Sequence, residues 1–335
     1  MTREPLRIGI LGAARITELS LIGPARTTGD RLVAVAARDR GRVEEFAARH
    51  GVERVVGSYA ELVADPEVEV VYNPLANALH GPWNRAAAEA GKHVLTEKPS
   101  ASNADEAREV RDVAEKAGKT VMEGFHYPYH PLHARLLELA TSGELGEVRA
   151  VEVHMVMPPP GDDDPRWQLD LAGGGLMDVG CYAVHALRML SGALGGAPRL
   201  LGARAGERDP GVDAWLDADL ELPGGIPATL RSGMNGAEYD FSYRLTGSRG
   251  EAYAPEFVRP HLGDTIEVTG PDGTRVEELG RRSSYTYQLE ALAAHLRDGS
   301  PVLTDADDAV ANMELVDEVY RAAGLAPRPR TAPVT

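Results

Sequence analysis

The sequence predicts two domains: a doubly wound parallel α/β sheet over residues 1–126, then an α+β domain over 127–335 built on a large, mostly antiparallel open sheet. Three observations carry this. Short apolar runs alternate with helical segments through the first part of the chain. An aromatic and proline-rich stretch, His126-Tyr127-Pro128-Tyr129-His130-Pro131, breaks that rhythm. From Glu147 onward, runs that alternate apolar and polar residues follow one another without crossover helices. With 335 residues, 43% of them hydrophobic, the chain is long enough for two cores.

The first run, 6–12, is β-prone and ends in glycine, and 13–19 has helical composition. In a dinucleotide-binding unit the amides opening such a helix face a pyrophosphate. The loop Gly12-Ala13-Ala14-Arg15-Ile16-Thr17 has Ala14 and Thr17 where further glycines or small residues would stand. A glycine turn in any α/β protein gives the same signal. After the strand 31–36 comes the position that meets the adenosine ribose, and it reads Ala37-Arg38-Asp39. With no acid at Ala37, Arg38 suits the 2′-phosphate of NADP over NAD. Asp39, one residue on, argues the other way, and a plain surface charge is the alternative for Arg38.

Residues 42–50, closed by Gly51, form a second crossover helix, and 68–71 a third strand between Pro66 and Pro74. The loop Asn73-Pro74-Leu75-Ala76-Asn77, running on to His80, leaves its carboxyl end and would line a cofactor crevice. His80 reads equally as a ligand or as a helix-start residue. A helix over 83–90 leads to the buried strand 93–95 and to Thr96-Glu97-Lys98-Pro99. An amine at the carboxyl end of a parallel strand sits where open sheets bind ligands, so Lys98 is a candidate for chemistry; a solvated loop charge is the plainer reading. A helix over 104–117, capped by Ser102 or Asn103, and a strand over 119–124 complete the first domain.

In the second, 146–155, 214–222, 228–232 and 241–245 alternate like half-buried strands, and two amphipathic helices, 285–297 and 307–323, close the chain. The polar loop 162–167 either covers a site or is solvated. Asp178, Tyr182 and His185, after Gly173-Gly174-Gly175, are spaced i, i+4, i+7 and so share one helical face. A solvated polar stripe, with Asp178 favouring the helix dipole, is the alternative. His126 and His130 stand at i, i+4, but Pro128 breaks that spacing, and no metal is assigned.

Thirty-five Lys and Arg against 51 Asp and Glu give a formal charge of −16, with no basic cluster. Nucleic acid and anionic membrane are excluded as partners on that ground. No stretch approaches 18 consecutive apolar residues and the amino terminus shows no apolar signal core, so the expected location is cytoplasmic. The single cysteine, Cys181, excludes an intramolecular disulfide and a cysteine zinc cage.

Glu97-Lys98-Pro99 after a parallel strand, with Gly-Gly-Gly-Leu-Met-Asp178-x-Gly-x-Tyr182 in the second domain, resembles the Gfo/Idh/MocA oxidoreductase family. The Asp178-x-x-x-Tyr182 form is similar to its dihydrodiol dehydrogenase and glucose-fructose oxidoreductase branch. The resemblance implies a Rossmann first domain, NADP as cofactor in preference to NAD, and a homodimer or higher homo-oligomer. It implies hydride transfer between nicotinamide and a secondary alcohol or ketone of a sugar, cyclic diol or related polyol. Its catalytic set here is Lys98, Asp178 and Tyr182. Its cofactor set is Gly12, Ala13, Ala14, Arg15, Ile16, Arg38, Asn73, Pro74, Leu75, Asn77, His80, Glu97 and Lys98. A nascent alkoxide needs a proton, and Tyr182 is a phenol whose pKa falls beside a cation such as Lys98; Asp178 would hold Lys98 or the substrate hydroxyl. His185 stays outside the catalytic set, and the Lys98–Pro99 peptide is often cis in the family. A homodimer also follows if the second sheet leaves an apolar face uncovered. The rival readings are a catalytically silent NADP-binding sensor on the same fold and a glycosidase that uses bound cofactor transiently.

Overall fold

The computed structural model describes residues 3–332 and 334; the outermost positions of the expected domain limits, 1–2, 333 and 335, lie outside the described residues. β1 (Arg7–Leu11) runs into Gly12, whose φ of 85° suits glycine and whose N–H donates to the Ala36 carbonyl at 2.6 Å. The helix that follows opens irregularly. Glu18–Ile22 is a π-turn, and regular helix, α1, covers only Gly23–Thr28. Pro24 has no N–H for the carbonyl four residues back, and the Gly23 N–H reaches five residues back to Glu18.

Next come β2 (Arg31–Ala36), α2 (Arg40–His50), α3 (Tyr59–Ala64), β3 (Val70–Asn73), α4 (His80–Glu89), β4 (His93–Thr96), α5 (Ala104–Ala117) and β5 (Val121–Glu123). The five strands are parallel, in the order β2-β1-β3-β4-β5. Val55 adds one parallel bridge outside β2. β3 starts later than the sequence predicts because the turn at Pro66 draws the Val68 N–H to the Asp65 carbonyl at 3.2 Å. The order of strands switches between β1 and β3, so their carboxyl ends flank the crevice where open α/β sheets take ligands. The loops 12–17 and 74–79 start there.

α6 (Pro131–Thr141), β6 (Val148–Val156) and α7 (Cys181–Ala193) precede seven further strands: β7 (Arg199–Asp209), β8 (Val212–Leu222), β9 (Ile226–Gly233), β10 (Tyr243–Gly247), β11 (Glu251–Ala254), β12 (Thr265–Gly270) and β13 (Gly273–Glu278). The sheet order is β13-β12-β11-β10-β6-β9-β8-β7. Every pair is antiparallel except β6 with β9, because the chain crosses over through α7 before returning beside β6.

Register sorts the two faces of this sheet. Val151 pairs with Leu245 and Ala228 in a buried row that continues to Leu220 and Ala252, and α7 packs over β6 and β9. The adjacent row carries Glu267, Tyr253, Arg244, Glu152, Thr229 and Asp219, exposed or half-exposed. This corrects the expectation of an uncovered apolar face. Arg244 lies 4.3 Å over the Tyr253 ring and Arg204 pairs with Asp217 at 3.1 Å, so the alternation of the strands has put mostly charged and polar groups on the open side, with an exposed Val276 at the end of the row.

α8 (Ser284–Asp298) and α9 (Ala306–Ala322) close the chain. The described residues form two compact units, one holding the chain up to Phe125, Tyr285–Met313 and the tail from Arg330, the other His126–Ser284 and Glu314–Pro329. The segment 285–313, assigned to 127–335 from sequence, therefore packs in the first unit. Arg297 pairs with Glu69 at 2.6 Å, His295 Nε2 lies 2.9 Å from Thr120 Oγ1, and Thr304 donates to the Glu123 carbonyl at 2.8 Å. Contacts between residues so far apart in sequence leave no mark in local periodicity. No helix among the described residues is long and apolar enough to cross a membrane.

Candidate active site

In the first unit the loops after β1 and β3 border a cleft of about 200 Å³. Gly12, Ala13, Ala14, Arg38, Pro74 and Leu75 line it, joined by Arg42 and Tyr59, which the sequence alone did not single out. A Cβ on Gly12 would stand 3.0 Å from Leu75 Cδ2, so glycine lets the two loops approach. Asp39 caps α2 by accepting from the Arg42 N–H at 2.9 Å; the carboxylate that argued against a 2′-phosphate is committed to the helix start. The Arg42 guanidinium donates to the Ala13 carbonyl at 2.8 Å, which ties α2 to the glycine loop. Two guanidiniums on one cleft suit a phosphate monoester. The signal for Arg42 was its place in the first turn after an Asp cap. Arg15 lines a neighbouring cavity of about 500 Å³ together with Arg42 and Arg49, while exposed Ile16 lines neither.

Other expected nucleotide contacts are engaged by protein groups. The Asn73 amide donates to Asn84 Oδ1 at 2.8 Å. His80 is buried, its ring nitrogens 2.6 Å from the Pro99 carbonyl and 2.8 Å from that of Leu75, so it fastens the loop after β3 to the loop after β4. Burial, with the Lys98 charge acting the same way, pushes its imidazole down to about 4 despite the two acceptors; the neutral ring donates to only one of them at a time. Glu97 turns inward, where Tyr72 donates to Oε1 at 2.8 Å and Ser20 Oγ lies 2.5 Å from the Tyr72 oxygen. Burial pushes the Glu97 carboxyl up, against the pull of the Lys98 charge and the Tyr72 hydrogen bond. Lys98 and Asn77 are half-buried, and the Lys98–Pro99 peptide is cis.

In the second unit the three glycines make room for a tight approach. Gly174 has a φ of 127°, and a Cβ there would collide with the Asp213 carboxylate and the Arg328 guanidinium. Asp213 Oδ2 accepts from the Leu176 N–H at 2.7 Å and fixes the start of the next turn. Leu176–Gly180 is a π-turn ahead of α7, with the Cys181 N–H donating to Leu176 five residues back. The uniform α-helical stripe expected for Asp178, Tyr182 and His185 is therefore broken between the first and second of them. The wide turn sits where Gly180 approaches the Ser232 side chain so closely that a Cβ would clash.

Asp178 is half-buried and accepts from Arg166 Nη1 at 3.4 Å, while Asp164 accepts from Arg166 Nε and Nη2 at 2.8 and 2.9 Å. The polar loop 162–167 thus reaches Asp178. Tyr182 is buried, with its hydroxyl 3.4 Å from His126 Nε2. His185 Nδ1 lies 2.6 Å from the Tyr127 hydroxyl, and the Tyr127 ring is 6.1 Å from that of Tyr182, so His185 stands one ring removed. The two histidines of the 126–130 stretch part ways. His130 caps α6, accepting from the Leu132 N–H at 3.2 Å, whereas His126 faces Tyr182. Among the described residues no group of three or more His, Cys, Asp or Glu is arranged to hold a metal ion.

Residues 6–125 match the oxidoreductase family with an NAD-binding Rossmann fold, and 133–253 match the Gfo/Idh/MocA C-terminal domain. The chain belongs to the Gfo/Idh/MocA oxidoreductase family. It is 37% identical over 321 residues to D-xylose 1-dehydrogenase (NADP(+)) 2 of Haloferax volcanii, across 95% of this chain and 97% of that one. It is 30% identical to the trans-1,2-dihydrobenzene-1,2-diol dehydrogenase of Mus musculus, across 96% and 97% of the two chains. A 3-ketoreductase from Actinomadura kijaniata, solved with NADP and TDP-benzene, matches with a TM-score of 0.88 at 30% identity, covering 95% of this chain and 98% of that one. The same enzyme was solved with a tyrosine replaced by phenylalanine and with a lysine replaced by alanine. As a Gfo/Idh/MocA protein the chain is a nicotinamide-dependent dehydrogenase or reductase of the sugar and polyol class.

Proposed function

We propose that this Gfo/Idh/MocA enzyme uses NADP to interconvert a secondary alcohol and its ketone, or a lactol and its lactone, on a sugar or closely related polyol. The pair Lys98 and Tyr182 carries the reading. They stand as far apart in sequence as the lysine and the tyrosine replaced in the Actinomadura variants. NADP fits the first unit: Gly12, Ala13 and Ala14 leave space for a pyrophosphate, Arg38 and Arg42 offer charge to a 2′-phosphate, and the Asp39 carboxylate is occupied by the cap of α2. When bound, NADPH supplies the hydride and NADP⁺ accepts one in the reverse direction.

Tyr182 gives its phenolic proton to the substrate oxygen in reduction and takes it back in oxidation. Lys98 places a positive charge at that oxygen and so favours the alkoxide character that develops there. Asp178, held by Arg166, orients a neighbouring substrate hydroxyl. A buried phenol is shielded from water, which sharpens these interactions. The test follows absorbance of the reduced nicotinamide with NADP⁺ and a panel of D-xylose, other aldoses and trans-diols, and with NADPH and keto-sugars. Turnover with at least one is expected. Tight NADP binding with no turnover across the panel supports the silent sensor instead.

A further inference from the structure

His126 is the first residue after β5 to belong to the second unit, and Ser284 opens α8. Both are buried, and His126 Nδ1 lies 2.8 Å from Ser284 Oγ. On its other side Nε2 lies 3.4 Å from the Tyr182 hydroxyl, with the two rings edge to face at 6.0 Å and 71°. Such contacts are often long before substrate closes the site. A phenol only 6% exposed that has just given up a proton is poorly placed to recover it directly from bulk water. Other titratable groups around this corner include Tyr127, His133 and His185. Tyr127 is already bonded to His185, and its ring also meets that of His133 edge to face at 5.0 Å.

We propose that His126 is the positioning residue for Tyr182 and returns its proton after each turnover. The inference rests on the reading of Tyr182 as proton donor. In reduction the Tyr182 O–H bond breaks as the substrate oxygen is protonated. The Nε2–H bond of a His126 imidazolium then breaks as the phenol re-forms, which leaves a neutral ring that keeps its Nδ1–H on the Ser284 hydroxyl, and Nε2 regains a proton from water as product leaves. Oxidation runs the same transfers backwards and releases a proton to water. No electrons move in the relay.

The test uses the full-length enzyme with NADP bound and tyrosine carrying ¹³C at Cζ, so that phenol ionisation is read without any substrate. Tyr182→Phe identifies the Tyr182 resonance by its loss. His126→Asn keeps an amide near the Nδ1 position for Ser284 and withdraws the donor from Tyr182. Its Tyr182 titration midpoint should rise by about one pH unit or more, as expected when a hydrogen bond to the phenolate is lost. His126→Gln, whose longer amide reaches toward the Nε2 position, should hold the midpoint nearer that of the parent while failing to relay. Turnover of His126→Ala should be restored in part by added imidazole, following the fraction of imidazolium in the buffer. Identical midpoints in the parent and His126→Asn overturn the proposal, as does a His126→Ala enzyme that turns over at the parent's rate. If Tyr182→Phe retains full turnover, the reading of Tyr182 fails instead, and the two failures are told apart.

Discussion

Tyr182→Phe keeps the ring and its contact with Tyr127 but removes the dissociable proton. Turnover should fall by about 10²–10⁴ with little change in NADP affinity, measured as single-turnover hydride transfer on whichever substrate the panel yields. Retention of more than about a tenth of the rate would mean that water or another group carries the proton. Arg38→Ala removes a guanidinium from the rim of the cleft proposed for the nucleotide. A charge-assisted contact contributes about 1.5–3 kcal/mol, so NADP should bind roughly 10- to 100-fold more weakly while NAD is unaffected. Titrations of both nucleotides check this, and equal affinities in the unmodified enzyme would remove the basis for an NADP preference. Lys98, Asp178 and Tyr182 could be singled out as candidates from the sequence because their residue types sit inside short local motifs. His126 and Arg166 were not, since their contacts with Tyr182 and Asp178 join a β5 exit and a surface loop to the turn opening α7, 56 and 12 residues apart in sequence.

At the scale of elements, β1, β2 and β4 were readable because each is buried on both faces and shows as an apolar run between turn residues. β7 was not, because register shifts at Leu200/Gly202 and Gly206/Glu207 break the two-residue period on a largely exposed strand. Two buried histidines give these elements a pH dependence. His80 opens α4 with an imidazole at about 4. His133 in α6, with neither ring nitrogen hydrogen-bonded among the described residues, is pushed to about 3 by burial and by nearby His185. Each has a folded pKa below its unfolded value of about 6.5, so the unfolded chain takes up protons first as the pH falls. Stability from each is complete above pH 7, declines below about 6.5, and is down by about 2 kcal/mol at pH 5. Glu97, whose carboxyl is pushed up, works in the opposite sense. Urea unfolding at pH 7 and pH 5 should therefore show a smaller loss for His133→Phe than for the parent. An identical loss would mean that His133 is charged in the folded protein.

Over the whole molecule, the charged open face of the eight-stranded sheet changes what a homodimer there would look like. An interface built on Arg244, Glu152 and Asp219 would be wet and ion-paired, and weakened by salt. Light scattering at micromolar protein should return about twice 35.9 kDa at low salt, with dissociation as salt is raised; a mass of 35.9 kDa throughout would rule the dimer out. Inside the second unit the buried Asp213 is matched by Arg328, which also donates to Tyr320 at 2.8 Å and to the Gly211 carbonyl at 2.7 Å. Arg328→Met should cost about 3–5 kcal/mol in urea unfolding, and adding Asp213→Asn should recover much of it, because the amide oxygen still accepts from Leu176 without a buried charge. If the double variant is no more stable than the single, the ion pair is not the source of the loss. The two partners of this bond are separated by 115 residues. During synthesis the turn that carries Asp178 waits, with its anchoring carboxylate unmatched, until Arg328 has emerged. A premature stop or a protease cut ahead of Arg328 would thus unsettle a turn made long before it.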